Sequence, residues 1–487
     1  MAPTQELAID VTNYSGEGPP AWEWEEPVSP VGRLFLEPHL RCYVVCVIGL
    51  GAPVDLPALR DGLQATLLRH PRFCSLQVMD ESRKASRPKW VQTTVSLDDH
   101  VIVPDLNPTA TSAEADRAME DYLSSISTLP MDHSRPLWEL HVLDFPTTEA
   151  AAALALRMHH SLGDGASLMS LLVACARPAA DPTTAPPTLP TAAATRRAMP
   201  TRPPVSAMLA WVISTLVLAW HTVVDLVCFV ATASSILRDP PTLLKGTEGV
   251  EFRPKRFVNR TLSLDDVKYV KNAMNCTVND VLLGVTSAAL SRYYFRKTGE
   301  SVEKSIKVRS LLAVNLRKTP GLHTLQASMM EPGKADGAKW GNQLGYMILP
   351  FHISKHDDLL EYVREGTKVA RRKKSSMESV LIYKSPVTVM KIFGVKAAAS
   401  LYYNLFTNTT LVYSNVVGPS ELLVLYGHPV VYIAPSVYGL STGLTIHYQS
   451  YMNIIKLVLA VDEAQFPDAH DLLDDFAQSL KLIRDAA

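Results

Sequence analysis

A chain of 487 residues is too long for one ordinary core, so two domains are the default expectation. Hydrophobic residues make up 47% and charged residues 20%, with a formal net charge of −1, the balance of a folded protein. Without a concentrated positive field or a run of Lys and Arg alternating with aromatics, nucleic acid is excluded as the main partner.

The N-terminus, MAPTQELAID, has neither a basic nor an apolar region, so no cleaved secretory signal is expected. After a polar, Trp-bearing leader, residues 43–48 form a β-branched run that predicts a strand. Residues 56–68 carry apolar side chains at helical spacing, and the helix should stop before His70 and Pro71. A strand over 89–95, a helix over 113–129 and strands over 138–143 and 151–158 follow. The last of these is almost wholly apolar, the pattern of a central strand covered on both faces.

Residues 178–204, PAADPTTAPPTLPTAAATRRAMPTRPP, read as an extended linker that cannot hold a core. Residues 205–224 then run without a formal charge, just enough to cross a bilayer core of about 30 Å, and the run continues to 237. Within it Ser214, His221, Asp225, Thr232 and Ser235 recur at spacings of seven, four, seven and three, one stripe of a helix. Such a stripe suits a protein-packed span, an interfacial helix or a helix docked on the lobes, and membrane association is the expectation. Arginines 196, 197 and 202 precede the run while Arg238 and Lys245 follow it, so orientation is undecided.

From about residue 252 the α/β alternation resumes, with strands expected at 310–314, 344–350, 411–415, 430–434, 444–448 and 454–461 and a final amphipathic helix at 469–484. The expected division is therefore 1–177, linker 178–204, apolar helix 205–237 and second lobe 250–487. The cysteines Cys42, Cys46, Cys74, Cys175, Cys228 and Cys276 form no C-x-x-C pair. Cys42 and Cys46 lie on one strand roughly 13 Å apart, whereas a disulfide needs Cα atoms within about 7 Å, so buried thiols in a reducing compartment are expected.

The string HHSLGDG, from His159 to Gly165, sits between a buried strand and a helical run at 166–176. Gly163 and Gly165 are expected to supply the permissive φ of a tight junction. At the end of a central strand His160 is best placed to project into a crevice, while His159 should face the opposite way. A neutral imidazole there can take the proton of an attacking alcohol and pass it to a departing thiolate. Asp164 can hold the turn by a salt bridge or backbone hydrogen bonds without touching substrate. A structural His pair is the competing account; a metal site is not expected, because adjacent strand histidines diverge and no third ligand is evident.

HHxxxDG resembles the signature of the chloramphenicol-acetyltransferase-like superfamily, which includes condensation domains and wax ester synthases. SPVGRLF (29–35), RHPRF (69–73), DDHVIVPDL (98–106), RPLWEL (135–140), NDVLL (279–283), NLR (315–317), GNQLG (341–345) and SNVVGP (414–419) narrow the likeness. Over nearly the whole chain, in order, they resemble the plant branch of the bifunctional wax ester synthase/diacylglycerol acyltransferase family. The resemblance implies an α/β fold of two lobes with a tunnel at their interface. It implies acyl-CoA as co-substrate, no cofactor or metal, and a fatty alcohol or diacylglycerol as acceptor. It makes His160 the general base, with Asp164 organising its turn and His159 and Gly165 as supporting motif residues. Packing is favoured for Pro136, Leu137 and Trp138. Asn279 is either a helix N-cap or a substrate-positioning group. Arg317 is paired with Asp164 by the family pattern alone, and Ser414 and Asn415 are candidates to stabilise an oxyanion. The endoplasmic reticulum membrane is the expected location, with the plasma membrane second and a soluble form left open. The rival functions are a soluble alcohol or amine acyltransferase and a non-catalytic lipid-binding homologue.

Overall fold

The computed structural model describes residues 25–79, 87–106, 111–179, 205–299, 305–317 and 340–487. The leader and almost all of the Pro/Thr/Ala segment lie outside them. The chain divides into two units that are not contiguous in sequence: the first takes 1–189 with 321–342 and 418–439, the second 190–320, 343–417 and 440–487.

The first unit is built on a seven-stranded sheet in the order Val101–Ile102, Trp138–Leu143, Ala152–His159, Tyr43–Leu50, His428–Tyr438, Leu423–Leu425 and Ala176–Pro178. Ala152–His159 is central and antiparallel to both neighbours, with His159 opposite Tyr43 and Met158 opposite Trp138. Its side chains are buried on both faces, as its apolar run requires. The strand expected at 430–434 forms, but it lies in this sheet between Tyr43–Leu50 and Leu423–Leu425 rather than beside Leu411–Val417 or Leu444–Tyr451. Gly49 makes that pairing possible, because a Cβ there would lie 2.3 Å from the Tyr432 ring. A smaller sheet places Pro88–Gln92 between Glu25–Pro27 and Ser75–Met79.

Helix ends follow local chemistry. Asp55 accepts from Ala58 N (3.0 Å) to start Leu56–Ala65, which ends in a short 3-10 turn ahead of Pro71. Thr111 and Glu114 form a capping box for Ser112–Ser127.

The second unit holds a six-stranded sheet, ordered Leu344–Ile353, Ile306–Asn315, Leu411–Val417, Leu444–Tyr451, Ile454–Asp462 and Lys255–Ser263. The helices Val278–Thr298 and Ala469–Ala486 cover it, and Leu282, Tyr293, Leu457 and Phe476 share one buried core. The apolar helix, Val205–Ala233, belongs to this unit and packs against a helical hairpin, Glu378–Phe393 and Val395–Asn408. Two sheet-rich α/β units agree with the expected two-lobed architecture.

Candidate active site

Backbone pairing holds the motif strand to its last residue. His159 N donates to Leu137 O (3.0 Å) on one side, and His160 N donates to Cys42 O (2.8 Å) on the other. The two histidines therefore part company, as extended geometry demands.

His159 is buried, edge-on to Tyr43 at 5.3 Å between ring centroids. Its Nδ1 accepts from Ser161 N (3.3 Å) and meets Ser161 Oγ at 2.7 Å. Burial, with His133 and His160 nearby, pushes its pKa down to about 3, so it is a neutral structural residue.

His160 packs its ring against Phe35 (4.7 Å) and places Nδ1 3.1 Å from Asn342 Oδ1. The amide is oriented unambiguously, because Asn342 Nδ2 donates to His160 O (2.9 Å) and reaches Ser161 O (3.4 Å). A flipped amide would set three oxygens together. The oxygen end therefore faces the ring, Nδ1 carries the hydrogen, and the lone pair lies on Nε2. Among the described residues Nε2 takes no hydrogen bond. Burial lowers the His160 pKa, opposed by its own carbonyl, the Asp164 charge and Asn342. The imidazole is thus neutral at pH 7, the form a base needs.

Asp164 is fully buried and N-caps Gly165–Cys175, accepting from Ser167 N at 2.9 Å. It acts through backbone hydrogen bonding, and its charge sits favourably at the helix N-terminus. Neither Gly163 nor Gly165 takes a positive φ, so the junction does not draw on the permissive φ expected of them. Gly163 matters for a different reason: a Cβ would press on Ser167 (3.2 Å) and the Trp340 ring (3.3 Å).

Residues distant in sequence brace the same turn. Leu162 O accepts from Trp340 Nε1 (2.8 Å) and Arg72 Nη1 (3.2 Å), while Ser167 Oγ donates to Gly341 O (3.1 Å). Arg72 is itself buried and paired with Glu26 at 2.7 Å. Trp138 is packing, as favoured: it is buried, stacks on His100 at 4.3 Å and donates to Phe73 O (2.9 Å).

In the second unit, the N-cap of Val278–Thr298 is Thr277, with Asp280 completing a capping box. That corrects the N-cap account of Asn279, which lies two positions past the cap, inside the first turn. Its Oδ1 instead accepts a short bond from Asn415 Nδ2. Ser414 is half-buried on Leu411–Val417, opposite His447. Arg317 Nη1 donates to Asn315 Oδ1 (3.2 Å) within its own turn.

Comparison with known proteins places these arrangements. Residues 39–282 match the wax ester synthase/diacylglycerol acyltransferase catalytic domain, and 340–484 match the WS/DGAT C-terminal domain. Wax ester synthase/diacylglycerol acyltransferase 11 of Arabidopsis thaliana is 42% identical over 95% of this chain and 95% of its own length. The chain belongs to the wax ester synthase/diacylglycerol acyltransferase family. A second Arabidopsis relative, wax ester synthase/diacylglycerol acyltransferase 5, is 41% identical over 95% of this chain and 94% of its own. The fold is shared with the wax ester synthase/diacylglycerol acyltransferase from Marinobacter aquaeolei VT8 (TM-score 0.58, 20% identity, 94% of this chain and 99% of that one). It is also shared with the starter condensation domain of rhizomide synthetase (TM-score 0.52, 11% identity, 94% of this chain and 92% of that one).

Sequence reasoning missed three residues of this acyltransferase's first unit: Asn342, Arg72 and Trp340. Arg72 and Asn342 stand inside RHPRF and GNQLG, strings that carried the family likeness without any stated role. Trp340 adjoins the second string.

Proposed function

We propose that this acyltransferase moves a long acyl chain from acyl-CoA to a fatty alcohol, forming a wax ester, and takes diacylglycerol as a second acceptor. The observation that carries the reading is His160: neutral, with Nδ1 held by Asn342, and with Nε2 taking no hydrogen bond among the described residues. The alcohol gives its proton to Nε2 as its oxygen attacks the thioester carbonyl. The tetrahedral intermediate then collapses, the carbon–sulfur bond breaks, and the imidazolium returns the proton to the thiolate of CoA. Base catalysis of this kind is worth about 10²–10⁴ in rate. Asp164, His159 and Gly165 shape the turn. In the second unit the Asn279–Asn415 amide pair, with Ser414 and Arg317, is the proposed substrate-positioning set. No cofactor beyond the co-substrate enters this reading. Water-insoluble acceptors and the apolar helix support membrane association, with the endoplasmic reticulum as the proposed site.

The test uses purified full-length protein and His160→Ala with acyl-CoA and fatty alcohol, diacylglycerol, short alcohols and amines in parallel. Wild type should favour fatty alcohol, and the variant should lose at least about 100-fold in turnover with unchanged thermal stability. Retention of a tenth of the activity by His160→Ala would sink the assignment of the base. Preference for short alcohols or amines would overturn the substrate class.

A further inference from the structure

The helix Val205–Ala233 turns the usual amphipathic arrangement inside out. Ile213, Leu216, Trp220, Val223, Val227 and Val230 recur at alternating spacings of three and four, and all are 53–67% exposed. Its polar stripe faces the protein. His221 Nδ1 meets Ser375 Oγ (2.6 Å), Asp225 pairs with Arg372 (2.9 Å) and Lys373 (3.0 Å), and Thr232 Oγ1 accepts from Arg309 (2.6 Å). Ser235 Oγ accepts from Asn408 Nδ2 (2.9 Å) just past the helix end, while Ser214 stays exposed. The first half differs again, because Trp211, Val212 and Val217 are exposed as well and leave it apolar all round but for Ser214 and Thr215.

A second apolar point stands nearby. The hairpin of Glu378–Phe393 and Val395–Asn408 ends in Ile392 and Phe393, 66% and 70% exposed, flanked by exposed Lys391 and Lys396. The contacts Phe229 to Tyr402, Ala233 to Asn404 and Ser235 to Asn408 advance together, so the apolar helix and Val395–Asn408 run in the same direction. The hairpin apex therefore lies toward the Trp220 end of that helix. Between them, the two helices of the hairpin and the apolar helix carry two acids, Asp225 and Glu378, both buried against Lys373. Apart from hydroxyl groups such as Ser214 and Thr388, what this layer exposes is apolar side chains, tryptophans and lysines.

We propose that the apolar helix and the hairpin apex form one monotopic surface that enters a single leaflet of an anionic bilayer without crossing it. The inference rests on the membrane association proposed above and deepens it. Crossing needs about 20 helical residues. Counted from Val205, that length reaches Val224; it would draw His221 and Thr222, which meet Ser375 and Met377 of the unit, into hydrocarbon and set Asp225, Arg372 and Lys373 at its edge. The free half, Met208 to Trp220, is about 20 Å long, enough for one leaflet. An interface with a second copy would show a narrow apolar seam between polar flanks, whereas this half carries exposed apolar side chains on every side and only Ser214 and Thr215 as polar members. Lysines beside the apex complement lipid phosphate and carboxylate.

The test measures flotation of full-length protein with phosphatidylcholine vesicles, with and without phosphatidylserine. Ile392→Ser/Phe393→Ser should weaken partition about tenfold or more, given the apolar area withdrawn, without altering melting temperature or activity on detergent-solubilised substrates. Lys391→Glu/Lys396→Glu should remove most of the gain from phosphatidylserine, about fivefold per lysine. In sealed microsomes, protease should remove epitope tags at both termini. A protected tag on one terminus means a span and overturns the monotopic reading. Wild-type partition that the apex variants do not change overturns the role of the hairpin and leaves membrane association standing. No partition to either vesicle overturns membrane association itself. A lipid-free dimer that the apex variants dissolve makes the surface a copy interface and overturns the proposal.

Discussion

In the HHSLGDG turn the buried polar groups surround the residue proposed to change protonation, whereas along Val205–Ala233 they surround charged residues. His160 is held at Nδ1 by a neutral amide and at its backbone by Cys42 and Asn342; among the described residues no carboxylate hydrogen-bonds to its ring. Asp225 meets two cations, and Lys373 is shared with Glu378 at 2.7 Å. The two arrangements solve different problems. A neutral clamp fixes tautomer and direction while leaving the proposed base titratable, and a charged clamp resists pulling the helix away from its unit. One displays a single nitrogen, the other an entire apolar face.

The sharpest way to break this comparison is to remove the charged clamp. Asp225→Ala leaves Arg372 and Lys373 without that partner and should cost about 3 kcal/mol of stability, read as a drop in the denaturant midpoint. An unchanged midpoint would mean that apolar contacts alone hold the helix. The next largest effect tests the neutral clamp. Asn342→Ala should lower kcat about 10- to 100-fold with little change in KM, because the ring loses its orientation and tautomer rather than its chemistry. In wild type the acid limb of kcat/KM should fall below pH 6.5, because burial lowers the His160 pKa and activity is lost only as the base is protonated. Asn342→Asp should move that limb to higher pH, since a carboxylate beside the ring favours the imidazolium. A limb that stays put in Asn342→Asp would separate His160 from the titration.

The smallest effect concerns histidines that are not meant to titrate. His70 and His159 are both held near about 3 in the fold, chiefly by burial. The unfolded chain takes up those protons near pH 6.5, so the stability they carry is complete above that pH and drains away as pH falls toward 3. Each contributes up to about 1.4 kcal/mol per pH unit. Denaturant midpoints at pH 7 and pH 5 should therefore differ more in wild type than in His70→Asn or His159→Gln; equal differences would deny both residues this part.

Much of the fold was legible because it is local. Strand 138–143 forms as Trp138–Leu143, and the helix expected at 469–484 runs from Ala469 to Ala486. The polar stripe of the apolar helix was readable as spacing. His160 and Asp164 were readable because a strand, a turn and a cap lie within seven consecutive residues. Asn342 was not, since 182 residues separate it from His160 and no periodicity links them. The sheet position of His428–Tyr438 was equally hidden: its β pattern was plain, but its partner depends on the absence of a Cβ at Gly49. Gly163 carried a signal that was read for the wrong reason, backbone freedom instead of room for Trp340.

By itself, then, the sequence determined most of the strands and helices, where the HHSLGDG turn sits and which family the chain resembles, because periodicity, caps and contiguous motifs act within a few residues. Only the tertiary structure decided that Asn342 sets the tautomer of His160, that Arg372, Lys373 and Arg309 receive the helix's polar stripe, and that its apolar side is left outward. Those outcomes depend on which distant side chains meet, and burial and hydrogen-bond geometry select the partners only once the chain has closed on itself.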